Sequence, residues 1–378
     1  MRVMMLALVA GMGCDEKEEK EPSGLSAFGN GSHDISDVTV TEIANSDDGL
    51  DVPRDLEFNP AVEGELWIVN RADDSVTVVF DAGTESQDST HIIDSYALHF
   101  MEEPSSISFG AATFADSDAL TFGTCQESRN TYNDNYAPND FMGPSLWSAD
   151  LDLFGESNPD AVDYLSKLFG FYADLGSHLD MLHESPLCMG IAWETENVYW
   201  VFDGSDGNIV RYDFADDHDL GYDDHSDGVV SRHVEIEVER VEDVPSHMEI
   251  DPATNLLYVA DTGNNRILVV DTTAGEEGDR LQANEPGVDH HEMENSVFST
   301  LIDGAEYGLG QPSGLALVDD YLLISDHATG NLFAFNLDGE LVDWVATGLE
   351  GLMGIDARSI EDIWVVDSSS DKVLRIQP

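Results

Sequence analysis

One hairpin recurs along this chain, and its recurrence restricts the available folds more than any other feature. Residues 256–272 read LLYVADTGNNRILVVDT, two apolar runs around a polar turn that holds an acid, a glycine and two asparagines. The pattern returns as LWIVNRADDSVTVV from Leu66, YWVFDGSDGNIVRY from Tyr199, LLISDHATGNLFAF from Leu322 and IWVVDSSSDKVLRI from Ile363. The first run ends on Asn70, Asp203, Asp261, Asp326 or Asp367, and a degraded copy, ALTFGTCQESRN, puts Thr124 in that slot. A shorter apolar stretch precedes each hairpin: VPRDLEF, EPSSISF, SPLCMGIAW, VPSHMEID, QPSGLAL and GLMGIDA. Five of the six open on a proline turn, and proline suits the first residue of a strand because it has no N–H to donate.

Further alternating runs lie between the units: His91 to Phe100, Val230 to Glu239, Ser296 to Asp303 and Leu341 to Thr347. These supply a fourth strand per unit. Six four-stranded sheets repeated around an axis make an all-β, six-bladed β-propeller. The last unit stops after its third strand, at KVLRIQP, while DVTVTEIA (Asp37 to Ala44) alternates without a unit of its own. Pairing the two seals the ring and removes an open edge. One inserted helix is expected over Asn158 to Asp174, with Asn158 as cap, Pro159 in the first turn, and Val162, Leu165, Phe169 and Tyr172 as a packed stripe.

The fourth unit, VPSHMEIDPATNLLYVADTGNNRILVVD, resembles an NHL repeat, and the other units follow it more loosely. The resemblance covers residues 37–378. It implies a propeller whose relatives include protein- and RNA-binding modules and a metal-dependent lyase of peptide amidation, so it speaks to fold more than to function. The lyase carries a channel zinc on three histidines from proline-histidine turns, and an arginine in a first-blade turn. Arg71 sits where that arginine would be, but only His247 stands near such a turn here, one residue late.

The chain of 378 residues holds 77 Asp+Glu against 15 Lys+Arg, a formal charge of −62. Such a surface repels nucleic acid and anionic lipid, which removes both as partners. It reads either as a solvated surface suited to high salt or as a calcium-binding one. The best EF-hand-like stretch, Asp223, His225, Asp227 and Gly228, fails because its twelfth position is Val234 where a bidentate Glu is needed. Residues 1–14, MRVMMLALVAGMGC, resemble a bacterial lipoprotein signal with Cys14 as the lipidated residue. Residues 15–36 read as an acidic, flexible tether, and residues 37–378 as the propeller. The expectation is therefore an exported, lipid-anchored monomer of the bacterial cell envelope, touching the membrane through the anchor alone. In that oxidising setting Cys125 and Cys188 read as one disulfide, with a metal-thiolate pair as the alternative.

Two groups of side chains carry candidate chemistry. At the channel mouth, His247 and His327 with Asp261 and Asp326 offer imidazole and carboxylate ligands to zinc, and Arg71 could hold an anionic group. The alternative reading is that the histidines cap turns and the aspartates accept their own turn amides. His99 and His183 fall beside the same face. On the opposite face, His218, His225, Asp223, Asp227, His290 and His291 form acidic, histidine-bearing loops that either bind Ca²⁺, Zn²⁺ or Cu²⁺ or are merely solvated. The long turn Cys125 to Gly143, rich in Asn and Tyr, is expected to cover part of the mouth. Phosphate loops, GxSxG elbows and CxxC pairs are absent. Two functions follow: a propeller that binds a protein or small-molecule ligand through its channel-mouth face, or a metal-dependent lyase or hydrolase with its metal at that mouth.

Overall fold

A computed structural model describes residues 24–132, 136–216 and 218–378. The chain forms a six-bladed β-propeller. Blade 1 consists of Pro53–Phe58, Leu66–Asn70, Ser75–Phe80 and Asp88–Ile93; blade 2 of Pro104–Phe109, Thr121–Gln126, Ser145–Ser148 and His178–Met181. Blade 3 begins with Cys188–Thr195, Val198–Asp203, Asn208–Asp213 and Val229–Glu237; blade 4 holds Met248–Asp251, Leu256–Asp261, Arg266–Asp271 and Phe298–Asp303. Blade 5 is Pro312–Val318, Tyr321–Asp326, Asn331–Asn336 and Leu341–Ala346. Blade 6 takes Leu352–Ser359, Asp362–Asp367 and Lys372–Gln377 from the end of the chain and Thr39–Ala44 from near its beginning. The closing pair is antiparallel, with Thr39 opposite Gln377 and Val40 opposite Ile376.

The core is divided among the blade interfaces. Period-two alternation gives each sheet two apolar faces, and each face packs on the next blade. Trp67, Phe109, Phe122 and Trp147 fill the space between blades 1 and 2, while Met189, Trp200, Val259 and Leu268 fill that between blades 3 and 4. Ile43, Leu56, Ile68 and Trp364 seal blade 6 against blade 1. The first strands crowd the axis closely. A Cβ on Gly190 would lie 2.0 Å from the Ser246 carbonyl oxygen, and one on Gly314 would lie 2.2 Å from that of Met353. Glycine at these positions admits the neighbouring backbone.

The recurrent aspartates prove to be turn acceptors. Asp326 takes the amides of Gly310 (2.7 Å), Gln311 (2.8 Å) and Thr329 (2.9 Å). Asp261 takes the Glu239 amide at 2.9 Å, the Asn264 side chain at 3.0 Å and Arg266 Nε at 2.7 Å. Every carboxylate oxygen is thereby satisfied, which explains why the residue recurs.

Four details differ from the sequence reading. The outer strand of blade 1 ends at Ile93, and Leu98–Phe100 is a 3₁₀ turn. Asp289–Glu294, expected as a loop, is a strand. With Glu276–Arg280 it leaves blade 4 and adds to blade 3, running parallel to Val229–Glu237 and extending that sheet to six strands. The expected tether is packed from residue 24 onward. Ala27 and Phe28 are buried against blades 5 and 6, the Leu25 amide donates to Asp343 at 2.8 Å, and His33 stacks on Trp344 at 4.3 Å. The expected signal, with Cys14, lies outside the described residues. Finally, the helix spans Pro159–Phe169, capped by Asn158, and buries only Ala161 and Leu165. Phe169, Phe171 and Tyr172 are exposed, at 41 %, 66 % and 65 %. The helix is an insertion outside the six sheets, and the described residues leave the end of that stripe at residues 169–172 largely uncovered.

Removing residues 1–45 deletes the closing strand and the Phe28 anchor, each of which buries apolar side chains worth about 2–3 kcal/mol apiece. The truncated chain is expected to melt roughly 10 °C or more below the full chain, read by circular dichroism. An unchanged midpoint would show that the closure is dispensable.

Candidate functional site

The axis of the propeller is nearly closed. Arg54, buried, donates through Nε and Nη2 to Glu127 Oε1, both at 2.9 Å, and through Nη1 to Ser368 Oγ at 3.1 Å, so it spans blades 1, 2 and 6. His247 Nε2 donates to the Ser105 carbonyl at 3.1 Å, and its Nδ1 lies 3.4 Å from Asp55 Oδ1. Beneath them a cavity of only about 40 Å³ is lined by Asp55, Glu57, Glu249 and Asp356. That volume holds a few waters and no organic substrate. Burial first, and then mutual repulsion, pushes Glu57 and Glu249 well above the ordinary carboxylate range. Burial likewise raises Asp356, and it raises Asp55 against the opposing pull of His247.

The channel-mouth set does not come together as a metal site. Asp261 and Asp326 are occupied by donors of their own turns and of the preceding connections, and His327 Nδ1 donates to the Leu352 carbonyl at 3.1 Å. Arg71 is not free for an anion. It pairs with Glu127, with Glu103 at 3.4 Å and with Asp243 at 3.2 Å. The Cys125–Cys188 disulfide is formed, with Cα atoms 5.1 Å apart, and both residues are buried between blades 2 and 3. It anchors the base of the Cys125–Gly143 turn. That turn borders a charged cleft of about 330 Å³ at the mouth on one side and a very different groove on the other.

This groove, about 510 Å³, lies on the rim of blade 2 and is walled by aromatic rings. Tyr132 and Phe141 come from the long turn; Tyr96 and Phe100 from the connection between blades 1 and 2; Phe169, Phe171 and Tyr172 from the end of the helix. The exposed helix stripe is one wall of it. At its base lie buried histidines. His99 Nε2 and His183 Nε2 are 3.0 Å apart, and His183 stacks on Phe141 with ring centres 3.7 Å apart. His183 Nδ1 lies 3.2 Å from Glu285 Oε1, supplied by the strand pair that crosses from blade 4. His178 stacks on Phe100 at 3.6 Å and donates Nδ1–H to the Leu175 carbonyl at 2.9 Å. His225 Nδ1 meets Asp180 Oδ1 at 2.7 Å.

Environment divides these histidines. Burial, then the nearby imidazoles, lowers His99 to about 3 and holds His178 and His183 well below the ordinary value, so all three are neutral. Burial also acts against His225, but the hydrogen bond it donates to Asp180 and the charges of Asp180, Glu285 and Asp223 outweigh it and raise its pKa. A neutral His99–His183 pair shares one proton between facing nitrogens. Whichever way that proton lies, His99 Nδ1 has no hydrogen-bond partner among the described residues.

The second sequence group splits in two. His218, His225, Asp223 and Asp227 gather at the outer edge of blade 2 beside Asp180: His218 Nε2 is 2.6 Å from Asp227 Oδ1. His290 and His291 lie on the added strand of blade 3. His290 Nδ1 is 3.6 Å from Glu184, and His291 Nε2 is 2.9 Å from Asp289. His178, Asp180 and Glu285 carried no signal in the sequence. Their role comes from a short outer strand and from a blade-crossing hairpin, neither of which the repeat pattern reveals.

No family model matches this chain, and no curated protein matches it. Solved structures do. A luciferin-regenerating enzyme superposes with a TM-score of 0.52 at 12% identity, covering 90% of this chain and 95% of that one. Regucalcin from Agrobacterium tumefaciens, described as a calcium-binding protein, gives 0.48 at 12% identity, covering 88% and 93%. An auxiliary nutrient binding protein from Bacteroides ovatus gives 0.48 at 12% identity, covering 90% and 76%. The likeness is one of fold.

Two pH effects of opposite sign follow. A raised carboxylate such as Glu249 contributes stability that is full below its unfolded pKa and is lost as pH rises through its folded one. Glu249→Gln should therefore gain on the wild type in melting midpoint between pH 5 and pH 8, and a pH-independent gap would contradict this. His99 is depressed, so its contribution is present above its unfolded pKa of about 6.5 and is lost as pH falls, about 2 kcal/mol by pH 5. His99→Leu should flatten the acid limb of the stability curve measured by urea unfolding. An acid limb as steep as that of the wild type would count against a neutral, buried His99.

Proposed function

We propose that this chain is an exported, lipid-anchored, NHL-type propeller that binds a small, flat, largely apolar molecule in the aromatic groove on the rim of blade 2. The observation that carries this reading is the groove itself. Its volume falls within the range of small-molecule sites, roughly 300–1,000 Å³, and it joins apolar walls to a few polar groups at its base. Exposed Phe and Tyr rings in a chain of charge −62 are costly to leave in water, and a planar ligand stacked on them removes that surface. His99 lines the groove, and its buried, unpartnered Nδ1 is the polar contact for a ligand hydroxyl or N–H once the rings over it shift. The axial cavity of about 40 Å³ is too small for an organic ligand, and the mouth cleft of about 330 Å³ is lined chiefly by charged side chains, which suit an apolar molecule poorly. The disulfide fits an oxidising compartment, in line with the lipoprotein-like start of the sequence.

Fluorescence titration with 2-naphthol and with 2-methoxynaphthalene tests the reading. The naphthol is expected to bind the wild type roughly tenfold more tightly than its methyl ether, the difference of one good hydrogen bond. His99→Leu should erase that preference while keeping the binding of the ether, and Phe171→Ala with Tyr172→Ala should weaken both. Saturable binding of neither probe would reject the groove as a ligand site.

A further inference from the structure

The geometry points to a second site below the groove: we infer that Asp180, His218 and Asp227 bind a divalent first-row transition metal ion of the zinc type. Asp180 comes from the outer strand of blade 2, and His218 and Asp227 from the loop that joins the third and fourth strands of blade 3. Their ligand atoms all lie within 4.8 Å of one another. His218 Nε2 stands 2.6 Å from Asp227 Oδ1 and 3.7 Å from Asp180 Oδ2. Two donors on one tetrahedral ion, with bonds of about 2.0–2.1 Å, sit roughly 3.3 Å apart. The observed spacings bracket that value, so small side-chain rotations admit the ion.

The burial of Asp180 is the independent observation. The residue is 1% exposed, and its Oδ2 has no hydrogen-bond partner among the described residues. A carboxylate oxygen left unpaired inside a protein is unfavourable, and a cation is the partner that removes the penalty. The other oxygen, Oδ1, is held by His225 Nδ1 at 2.7 Å. That contact orients the carboxylate so that Oδ2 faces His218, the arrangement by which a second residue positions a metal ligand. Asp227 is partly exposed, so an ion reaches the site from solvent and keeps water in a fourth position. One imidazole with two carboxylates suits zinc, cobalt or manganese. Calcium prefers six or more oxygens, which this site lacks. The bound ion ties the blade 3 loop to blade 2.

The test uses the full chain, stripped with chelator and titrated with Zn²⁺ against a chromophoric competitor in high salt, which suppresses loose binding to the acidic surface. The wild type and the His291→Ala control are expected to take up one saturable equivalent and to melt higher when it is bound. Co²⁺ in its place should give visible absorption of a low-symmetry site. His218→Ala and Asp227→Asn, both at the more open side of the cluster, should fold normally and bind at least about tenfold more weakly, with no zinc-dependent rise in melting midpoint. The proposal is overturned if the wild type shows no saturable equivalent, or if both variants bind zinc as the wild type does.

Discussion

The pairing of Thr39–Ala44 with Lys372–Gln377 is the constraint on which the rest of this molecule depends. A propeller has no central core. Its apolar side chains lie between neighbouring blades, and each blade is stable only with a neighbour on both sides. Without the closing strand, blade 6 has an open edge and the interface of blade 6 with blade 1 loses Ile43 and Ala44. The segment ahead of that strand adds a second fastening. Phe28 and His33 reach across to blade 5, so the beginning of the domain is bonded to two blades rather than one.

Closure of the ring also decides where chemistry can occur. The inner strands approach so closely that glycine is required where backbones meet, and the remaining axial space is taken by Arg54, His247 and repelling carboxylates. The mouth is crossed by ion pairs that neutralise Arg71. The open, apolar surface is displaced to the rim of blade 2, where a helix, a long turn and a hairpin from blade 4 converge. Insertions into blades 2 to 4 thus build the groove and the histidine cluster without disturbing the ring.

The repeat was readable because strand periodicity and turn chemistry are local. The polar turns, the proline starts, the spare first strand and the Asn158 cap all follow from neighbouring residues. The recurrence of aspartate has the same local cause: Asp326 takes the Thr329 amide and Asp261 the Asn264 side chain of its own turn, and each also takes an amide of the preceding connection. Less local features were not legible. The stripe of Phe169 and Tyr172 has the spacing of a packed helix face, and only the helix's position outside the ring leaves it exposed. Asp289–Glu294 looked like an acidic loop because its pairing partner belongs to another blade. The repeat pattern places His99 and His183 beside one face and His225 on the other, yet the His183 and His225 ring centres lie 6.0 Å apart at the outer edge of the sheet.

By itself the sequence determined the architecture: six units, their four-stranded sheets and the circular closure. Each of these is written in patterns only a few residues long and repeated until chance is excluded. Only the tertiary structure decided which polar residues meet. Asp180, His218 and Glu285 stand on three different blades or their insertions, and their distances depend on how far each insertion leaves the ring and where it folds back. No spacing along the chain encodes that, because the contacts are made between segments whose separation is set by packing.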